Sequence, residues 1–275
     1  MIKDILTLLD LSGDMPAVPV AVDLAQKTGA HLTGLAPIIE PALPGYVAGP
    51  IPSEVLEHAR DQAVASAEGA RDHFKKKCDQ AGINCESRLV SLASGGGTHA
   101  FTSHCRMTDL VVICQDNPDH PQVMRSALIE AALFDGSAPI LLIPYVNHDG
   151  FAAKRVMVAW DGSRAAARAV HAALPILEQA GTIDLVIAGE PRRLAGEPGA
   201  DMALYLARHG LKVEIRHIPK GSSGVSDALL NYISDNGIDL VVMGGYGHSR
   251  MREFILGGAT RGILAAMTAP VLMIH

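Results

Sequence analysis

The stretch Val241–Thr260, VVMGGYGHSRMREFILGGAT, decides how the rest of the sequence is interpreted. It continues an apolar run, residues 239–243, that has the length and β-branched content of a buried strand. Three glycines follow within residues 244–247, and an amphipathic run covers residues 251–267. A strand that turns through glycines into a helix is typical of an anion site, because a phosphate can approach glycine closely and the free N–H groups of the helix start point at it.

The composition indicates a globular protein and excludes several classes. The chain has 275 residues, of which 48% are hydrophobic and 19% charged, and this length suits two domains. The net charge of −6 argues against a nucleic-acid binder, which usually presents a basic face. No apolar run reaches about 18 residues, so we expect no membrane span. The first ten residues carry charge and no signal-peptide pattern follows, so we expect a cytoplasmic protein.

The four cysteines show no CxxC spacing, and in a reducing compartment we expect them to be free thiols, several of them buried. A zinc site is the weaker alternative, because the spacing of its candidate ligands fits no familiar pattern. Those candidates are His99, His104, Cys105 and Cys114. We therefore assign no metal site.

The sequence repeats itself. Asp109-Leu-Val-Val-Ile corresponds to Asp239-Leu-Val-Val-Met, and Pro139-Ile-Leu-Leu-Ile corresponds to Pro270-Val-Leu-Met-Ile. Each half reads as five strands alternating with four helices, separated by a polar linker at about residues 146–153. The repeat predicts two domains, 1–145 and 154–275.

The pattern of each half predicts an α/β fold. Strands that are continuous apolar runs and alternate with helices are typical of a parallel sheet covered on both faces. Right-handed crossovers make such a sheet doubly wound. Ligands of these sheets bind beyond the carboxyl ends of the strands, at the point where the strand order reverses.

Three motifs of the second half resemble those of the universal stress protein family, whose fold is of the adenine nucleotide alpha hydrolase-like type. They are Val158-Ala-Trp-Asp161-Gly-Ser163, the spacing Gly244-x2-Gly247-x9-Gly257, and Ala269-Pro-Val-Leu-Met. Two such halves in one chain resemble a tandem universal stress protein. The resemblance implies strand order 3-2-1-4-5 in each half, ATP or another adenine nucleotide at the switch point, and pairing of the sheets through their fifth strands.

The resemblance also implies roles for individual residues. Asp161 would face the adenine or ribose, and the backbone at the end of the second strand would hold the base. The first glycines of the loop would lie against ribose and phosphates, and the last ones would donate N–H groups to the phosphates. The complete implied set is Ala159, Asp161, Ile187, Ala188, Gly244, Gly247, His248, Ser249, Arg250, Gly257, Gly258 and Ala259.

Two departures from the family pattern affect this expectation. ATP-binding members usually have Ser or Thr directly after the last glycine of the motif, where this chain has Gly258, so that Ser249 would have to supply the hydroxyl. In the first half, residues 115–120 follow the fourth strand without a glycine turn, and Asp116 and Asp119 would repel a phosphate. We expect the first half to have lost its nucleotide; the alternative is another ligand between Asp10 and His120.

Plainer interpretations remain for single residues. The glycine cluster alone could be a tight turn, Asp161 could cap the next helix, His248 could be a solvated loop histidine, and Trp160 is expected in the core. No nucleophile with an orienting partner is visible.

The resulting hypothesis is a stress-response sensor or scaffold that binds ATP, ADP or AMP, with or without Mg²⁺. Phosphoryl transfer needs a positioned metal and a group that orients the nucleophile, whereas this loop offers mainly backbone donors and arginines. An enzyme is therefore the less favoured assignment. The alternatives are an interaction module without nucleotide and a slow ATPase. Expected partners are the nucleotide, an unidentified protein and a second copy of the chain. The fifth strands, 139–143 and 270–274, are expected to pair within one chain.

Overall fold

The computed structural model describes residues 1–11, 13, 15–39, 52–92, 97–146, 150–189, 197–222, 224–245 and 258–275. Its contacts divide the chain into two compact units. The first contains Met1–Ala138 with Gly150 and Phe151, and the second contains Pro139–Val146 and Ala152–His275.

The first unit alternates strands and helices along its whole length. Its sheet has the order β3-β2-β1-β4, and the pairs β1–β2, β1–β4 and β2–β3 are parallel. Its elements are β1 (Asp4–Leu8), α1 (Ala17–Thr28), β2 (His31–Ile39), α2 (Ser53–Ala81), β3 (Cys85–Leu92), α3 (His99–Cys105), β4 (Leu110–Cys114) and α4 (Arg125–Asp135).

The second unit has the strand order β5-β10-β9-β6-β7-β8. All of its described pairs are parallel except β10 with β5, which is antiparallel. Its elements are β5 (Ile140–Ile143), β6 (Arg155–Ala159), α5 (Arg164–Leu177), β7 (Thr182–Ala188), α6 (Ala200–Arg208), β8 (Val213–Ile218), α7 (Val225–Asn236), β9 (Leu240–Gly244), α8 (Gly258–Ala266) and β10 (Val271–Ile274).

The predicted fold class is confirmed: the protein is α/β with mostly parallel strands. In the second unit the strands β8-β7-β6-β9-β10 have the predicted order 3-2-1-4-5. The fifth strands pair as expected, with Leu272 opposite Leu141. By contacts β5 groups with the second unit, whereas the repeat assigns it to residues 1–145. The domain ranges 1–145 and 154–275, which rest on the sequence repeat, therefore stay a prediction.

Apolar burial explains why these segments are strands. Every residue of β4, β5 and β10 is buried, as continuous apolar runs require when helices cover both faces of a parallel sheet. Burying each of these aliphatic side chains stabilises the folded state by about 1.5–3 kcal/mol relative to leaving it exposed. Among the described residues, no helix combines the length and the hydropathy needed to cross a bilayer.

Candidate functional site

The strand order of the second unit reverses between β6 and β9, which makes their carboxyl ends the switch point of the sheet. The two strands are parallel, and Ala159 pairs with Met243. Asp161 lies two residues beyond Ala159 and Gly245 lies two residues beyond Met243, so both follow the sheet at the same level. The predicted aspartate and the start of the predicted glycine loop therefore lie side by side.

Asp161 is an exposed carboxylate held by its own turn. Its Oδ1 accepts a hydrogen bond from the backbone N–H of Ser163 at 2.9 Å. The cap of α5 is Ser163, whose buried Oγ accepts from the N–H of Ala166 at 3.1 Å. The interpretation of Asp161 as the helix cap is therefore wrong, because the nearer hydroxyl takes the orphan N–H group. This leaves the Asp161 carboxylate at the protein surface.

Gly244 is required by packing. A Cβ at this position would lie 2.5 Å from the backbone N of Ala166 and 2.7 Å from the carbonyl carbon of Ala165. The start of α5 is thus packed directly on the end of β9. The N–H of the next residue, Gly245, donates to the carbonyl of Ile274 at 2.9 Å and extends the ladder of β10. These contacts give the first two glycines a structural role beside any contact with a ligand.

The end of β7 forms another side of this region. Ile187 is buried and Ala188 is partly exposed. The backbone N–H of Trp160 donates to the carbonyl of Val186 at 2.8 Å, so the segment after β6 stays attached to β7. The Trp160 ring lies near Gly199, with 3.7 Å between its Cδ1 and the position of a Cβ there. Trp160 thus packs beside the start of α6 and is only partly buried, so the expectation that it lies in the core is wrong.

The remaining implied residues belong to the loop and the following helix. Helix α8 begins at Gly258, which is exposed and has open space around the position of a Cβ, and Ala259 is partly exposed. The loop residues Gly247, His248, Ser249, Arg250 and Gly257 lie outside the described residues.

Two cationic residues at this end of the unit were missed by the sequence analysis. Arg164 is the exposed first residue of α5, three positions after Asp161. Burial lowers the pKa of His275, and the charges of Arg168 and Arg164 lower it further. The stem of Lys220 lies over Gly189, with its Cδ 3.5 Å from the position of a Cβ there. The sequence could have indicated Arg164, because it is a basic residue directly after the Asp161-Gly-Ser163 turn.

The first unit has a different arrangement at the same place. Asp10 follows β1 as Asp161 follows β6, but Asp10 is buried and forms an ion pair with the equally buried Arg125 at the start of α4. The carboxylate of Asp116 accepts from the N–H of Gln122 at 3.2 Å and from the Oγ of Ser126 at 2.9 Å. The carboxylates of Asp10 and Asp116 are therefore both bound by residues of the same unit. Arg125 was not foreseen, since its partner lies 115 positions away.

The cysteine prediction agrees with the structure. All four cysteines are free, and Cys78, Cys105 and Cys114 are buried. Burial raises the pKa of Cys105 to about 12 and is also the largest cause that raises the pKa of Cys114 to about 12. Within the described ranges no three His, Cys, Asp or Glu side chains are grouped as metal ligands.

Comparison with known proteins finds a family match in the second half of the chain. Residues 152–275 match the universal stress protein family. A universal stress protein of Synechocystis sp. is 34% identical over 83 residues, which cover 30% of this chain. The match spans only 27% of the length of that relative.

Solved structures resemble the chain over nearly its whole length. A universal stress protein from Archaeoglobus fulgidus superposes with a TM-score of 0.73 at 20% identity, covering 98% of this chain and 97% of the other. A Pseudomonas aeruginosa protein described as a universal stress protein gives 0.59 at 16% identity, covering 99% and 93%. At these identities the likeness shows the fold alone. The family match therefore covers residues 152–275, and the likeness over the whole chain is one of fold.

Proposed function

We propose that the second unit binds an adenine nucleotide at the switch point between β6 and β9, and that the protein is a cytoplasmic sensor or scaffold of a stress response. The observation that carries this proposal is the register Ala159–Met243, which sets the exposed Asp161 beside the start of the glycine loop. The family match of residues 152–275 supports it independently.

Each part of the proposed site suits one part of a nucleotide. The exposed carboxylate of Asp161 can accept hydrogen bonds from ribose hydroxyls or the adenine amino group. The backbone at Ile187 and Ala188 would contact the base. The N–H groups at the start of α8, Gly258 and Ala259, are donors for phosphate oxygens. His248, Ser249 and Arg250 of the loop complete the proposed set, with Mg²⁺ accompanying the phosphates when the ligand is ATP.

A first experiment asks whether nucleotide is bound. The protein is purified and denatured, and the released adenine nucleotide is measured. The single tryptophan, Trp160, directly precedes Asp161, so its fluorescence is a local reporter for titration with ATP, ADP and AMP, each with and without Mg²⁺. We expect saturable binding and a rise in melting temperature with nucleotide concentration. No nucleotide released, no fluorescence change and no thermal shift at millimolar ATP would refute the proposal.

A second experiment localises the site. Asp161→Asn removes the charge from an exposed carboxylate and should weaken nucleotide binding by about tenfold, as expected for a lost charge-assisted hydrogen bond. Asp235→Asn, an exposed aspartate on α7 of the same unit, is the matched control and should bind as the wild type does. Equal affinity of both variants and the wild type would place the nucleotide elsewhere.

One observation favours an interaction module that binds no nucleotide. The family's ATP binders usually have a hydroxyl residue where this chain has Gly258. Gly258→Ser adds the hydroxyl at a position with open space. If nucleotide binds, this variant should bind it more tightly. If neither the wild type nor Gly258→Ser binds, the interaction module is the better assignment. A turnover assay on the same samples tests for a slow ATPase.

A further inference from the structure

Two of the four free cysteines lie at the same end of the first unit. Cys78 is in the last turn of α2 and is completely buried, and Cys85 is the first residue of β3 and is partly exposed. Neither residue belongs to the nucleotide site proposed above, which lies in the second unit. Their positions follow from the packing of α2 on the sheet.

The register of β2 and β3 shows which way Cys85 points. Gly34 of β2 pairs with Ser87 of β3, and a Cβ on Gly34 would lie 2.6 Å from Cε1 of Phe74, a residue of α2. This face of the sheet is therefore covered by α2. Paired residues of neighbouring strands project to the same side, as do residues two apart on one strand. Ser87 and Cys85 consequently both face α2.

The helix brings Cys78 to the same place. Phe74 and Cys78 are one turn apart on the same buried face of α2. The chain leaves the helix at Gly82, in left-handed conformation, and the N–H of Ile83 donates back to the carbonyl of Cys78 at 3.1 Å. This tight return sets the last helical turn above the first residue of β3. Consistently, the pKa of Cys78 is raised first by burial and then by a hydrogen bond and charge repulsion from the Cys85 thiol.

We propose that Cys78 and Cys85 are an oxidisable dithiol, a modification site whose co-reactants are hydroperoxides or low-molecular-weight disulfides. With hydrogen peroxide, the sulfur of the partly exposed Cys85 attacks one oxygen: an S–O bond forms, the O–O bond breaks and one water leaves. The Cys78 sulfur then displaces the hydroxyl from Cys85 as a second water and forms the S–S bond. The two thiols lose two protons and two electrons in total, and the peroxide is reduced to two waters.

The other two cysteines are internal controls. Cys105 and Cys114 are buried on α3 and β4, and burial is the largest cause that raises the pKa of each thiol to about 12. A protonated, buried thiol reacts slowly with oxidants in solution. Cys78 is also buried, but in this proposal it reacts only with the oxidised Cys85 beside it and not with the oxidant itself. Oxidation of the folded protein should therefore stop at the Cys78–Cys85 pair.

The sequence supplies a direct assay. Trypsin cuts after Lys77 and Arg88, so one peptide, residues 78–88, carries both thiols. The folded wild-type protein is treated with hydrogen peroxide, alkylated in denaturant, digested and analysed by mass spectrometry. We expect the 78–88 peptide to lack two hydrogens and two alkyl groups, and to regain both alkylation sites after reduction with dithiothreitol. The peptides that contain Cys105 and Cys114 should be fully alkylated.

Variants separate the proposal from general oxidation. Cys85→Ser should abolish the oxidised 78–88 peptide and leave Cys78 alkylatable, and Cys78→Ala should leave Cys85 oxidised only to species without an internal bridge. The oxidised wild type should also melt several degrees higher, because the bridge restricts the unfolded chain. The proposal is overturned if the folded wild type keeps both thiols alkylatable at doses that oxidise free glutathione. It is equally overturned if Cys105 and Cys114 are oxidised at the same rate. Because the decisive reading uses the wild type, a variant that fails to fold does not affect it.

Discussion

Asp10 follows β1 and Asp161 follows β6, yet Asp10 is buried and Asp161 is exposed. Asp10 is 4% exposed and paired with Arg125, whereas Asp161 is exposed and held by the N–H of Ser163. The helices that follow the fourth strands differ correspondingly. Helix α4 begins with Arg125, and α8 begins with Gly258.

The difference shows how a ligand position can become part of a core. A carboxylate loses several kcal/mol of hydration when it is buried, and only a well-placed cation with further hydrogen bonds offsets this cost. Arg125 supplies that cation inside the first unit. In the second unit Asp161 is exposed, so its carboxylate stays hydrated and accessible to an external hydrogen-bond donor. The observed difference between the two aspartates is the buried ion pair that Asp10 forms with Arg125.

The largest expected effect comes from breaking the buried ion pair of Asp10 and Arg125. Arg125→Met removes the cation and leaves Asp10 buried without it, so we expect the free energy of unfolding to fall by about 3–5 kcal/mol. Asp161→Asn, at the equivalent surface position, should change it by less than about 0.5 kcal/mol. Urea denaturation of both variants measures the contrast.

The double variant sharpens this test. Asp10→Leu with Arg125→Met replaces both charges by apolar side chains and should recover most of the lost stability, because neither charge stays buried alone. A loss for Arg125→Met as small as that for Asp161→Asn would contradict the buried pair.

The second prediction concerns the strand end of the second unit. Gly244→Ala forces a methyl group against the backbone of Ala165 and Ala166, and should destabilise the protein by about 1–3 kcal/mol. Gly258→Ala is the matched control: its methyl group enters open space, and the change should stay within about 0.5–1 kcal/mol and favour the helix. Thermal melting of both variants decides, and equal effects would mean that α5 does not pack on β9 as described.

The third prediction concerns the residue before α4. Met124 has φ of +65°, and it is the single non-glycine residue with positive φ among the described residues. Met124→Gly should stabilise the protein by about 0.5–1 kcal/mol, because relief of left-handed strain exceeds the added flexibility of the unfolded chain. A melting temperature below that of wild type would show that Met124 is not strained.

The smallest effect is a pH dependence in the first unit. Burial lowers the pKa of His104 below its ordinary value of 6.5, and the neighbouring Arg88 lowers it further. The unfolded chain then binds this proton at a higher pH than the folded protein does. The contribution of His104 is therefore complete above pH 6.5 and declines as the pH falls from 6.5 toward the lowered value.

The variant His104→Gln tests the direction of this pH dependence. The stability difference between wild type and variant, measured by denaturation from neutral to mildly acidic pH, should shift in favour of the variant as the pH falls. A difference that stays constant with pH would mean that His104 titrates alike in the folded and unfolded states.

Local sequence patterns predicted the α/β class, whereas the strand order was implied by the resemblance to the universal stress protein family. Apolar runs such as 110–114 and 271–274 are long enough and β-branched enough to specify strands, and the repeat of such runs indicated two similar halves. The glycine spacing and the Asp161-Gly-Ser163 turn indicated the place of the site, because turn chemistry is also local.

Tertiary structure alone decided what those patterns become. The pairing of Arg125 with Asp10 joins residues 115 positions apart, the cap of α5 fell to Ser163 rather than Asp161, and the need for glycine at 244 comes from the approach of α5 to β9. Periodicity and turn signals report on neighbours along the chain. Which charge is buried, and which backbone crowds a glycine, depends on the helix that packs across it.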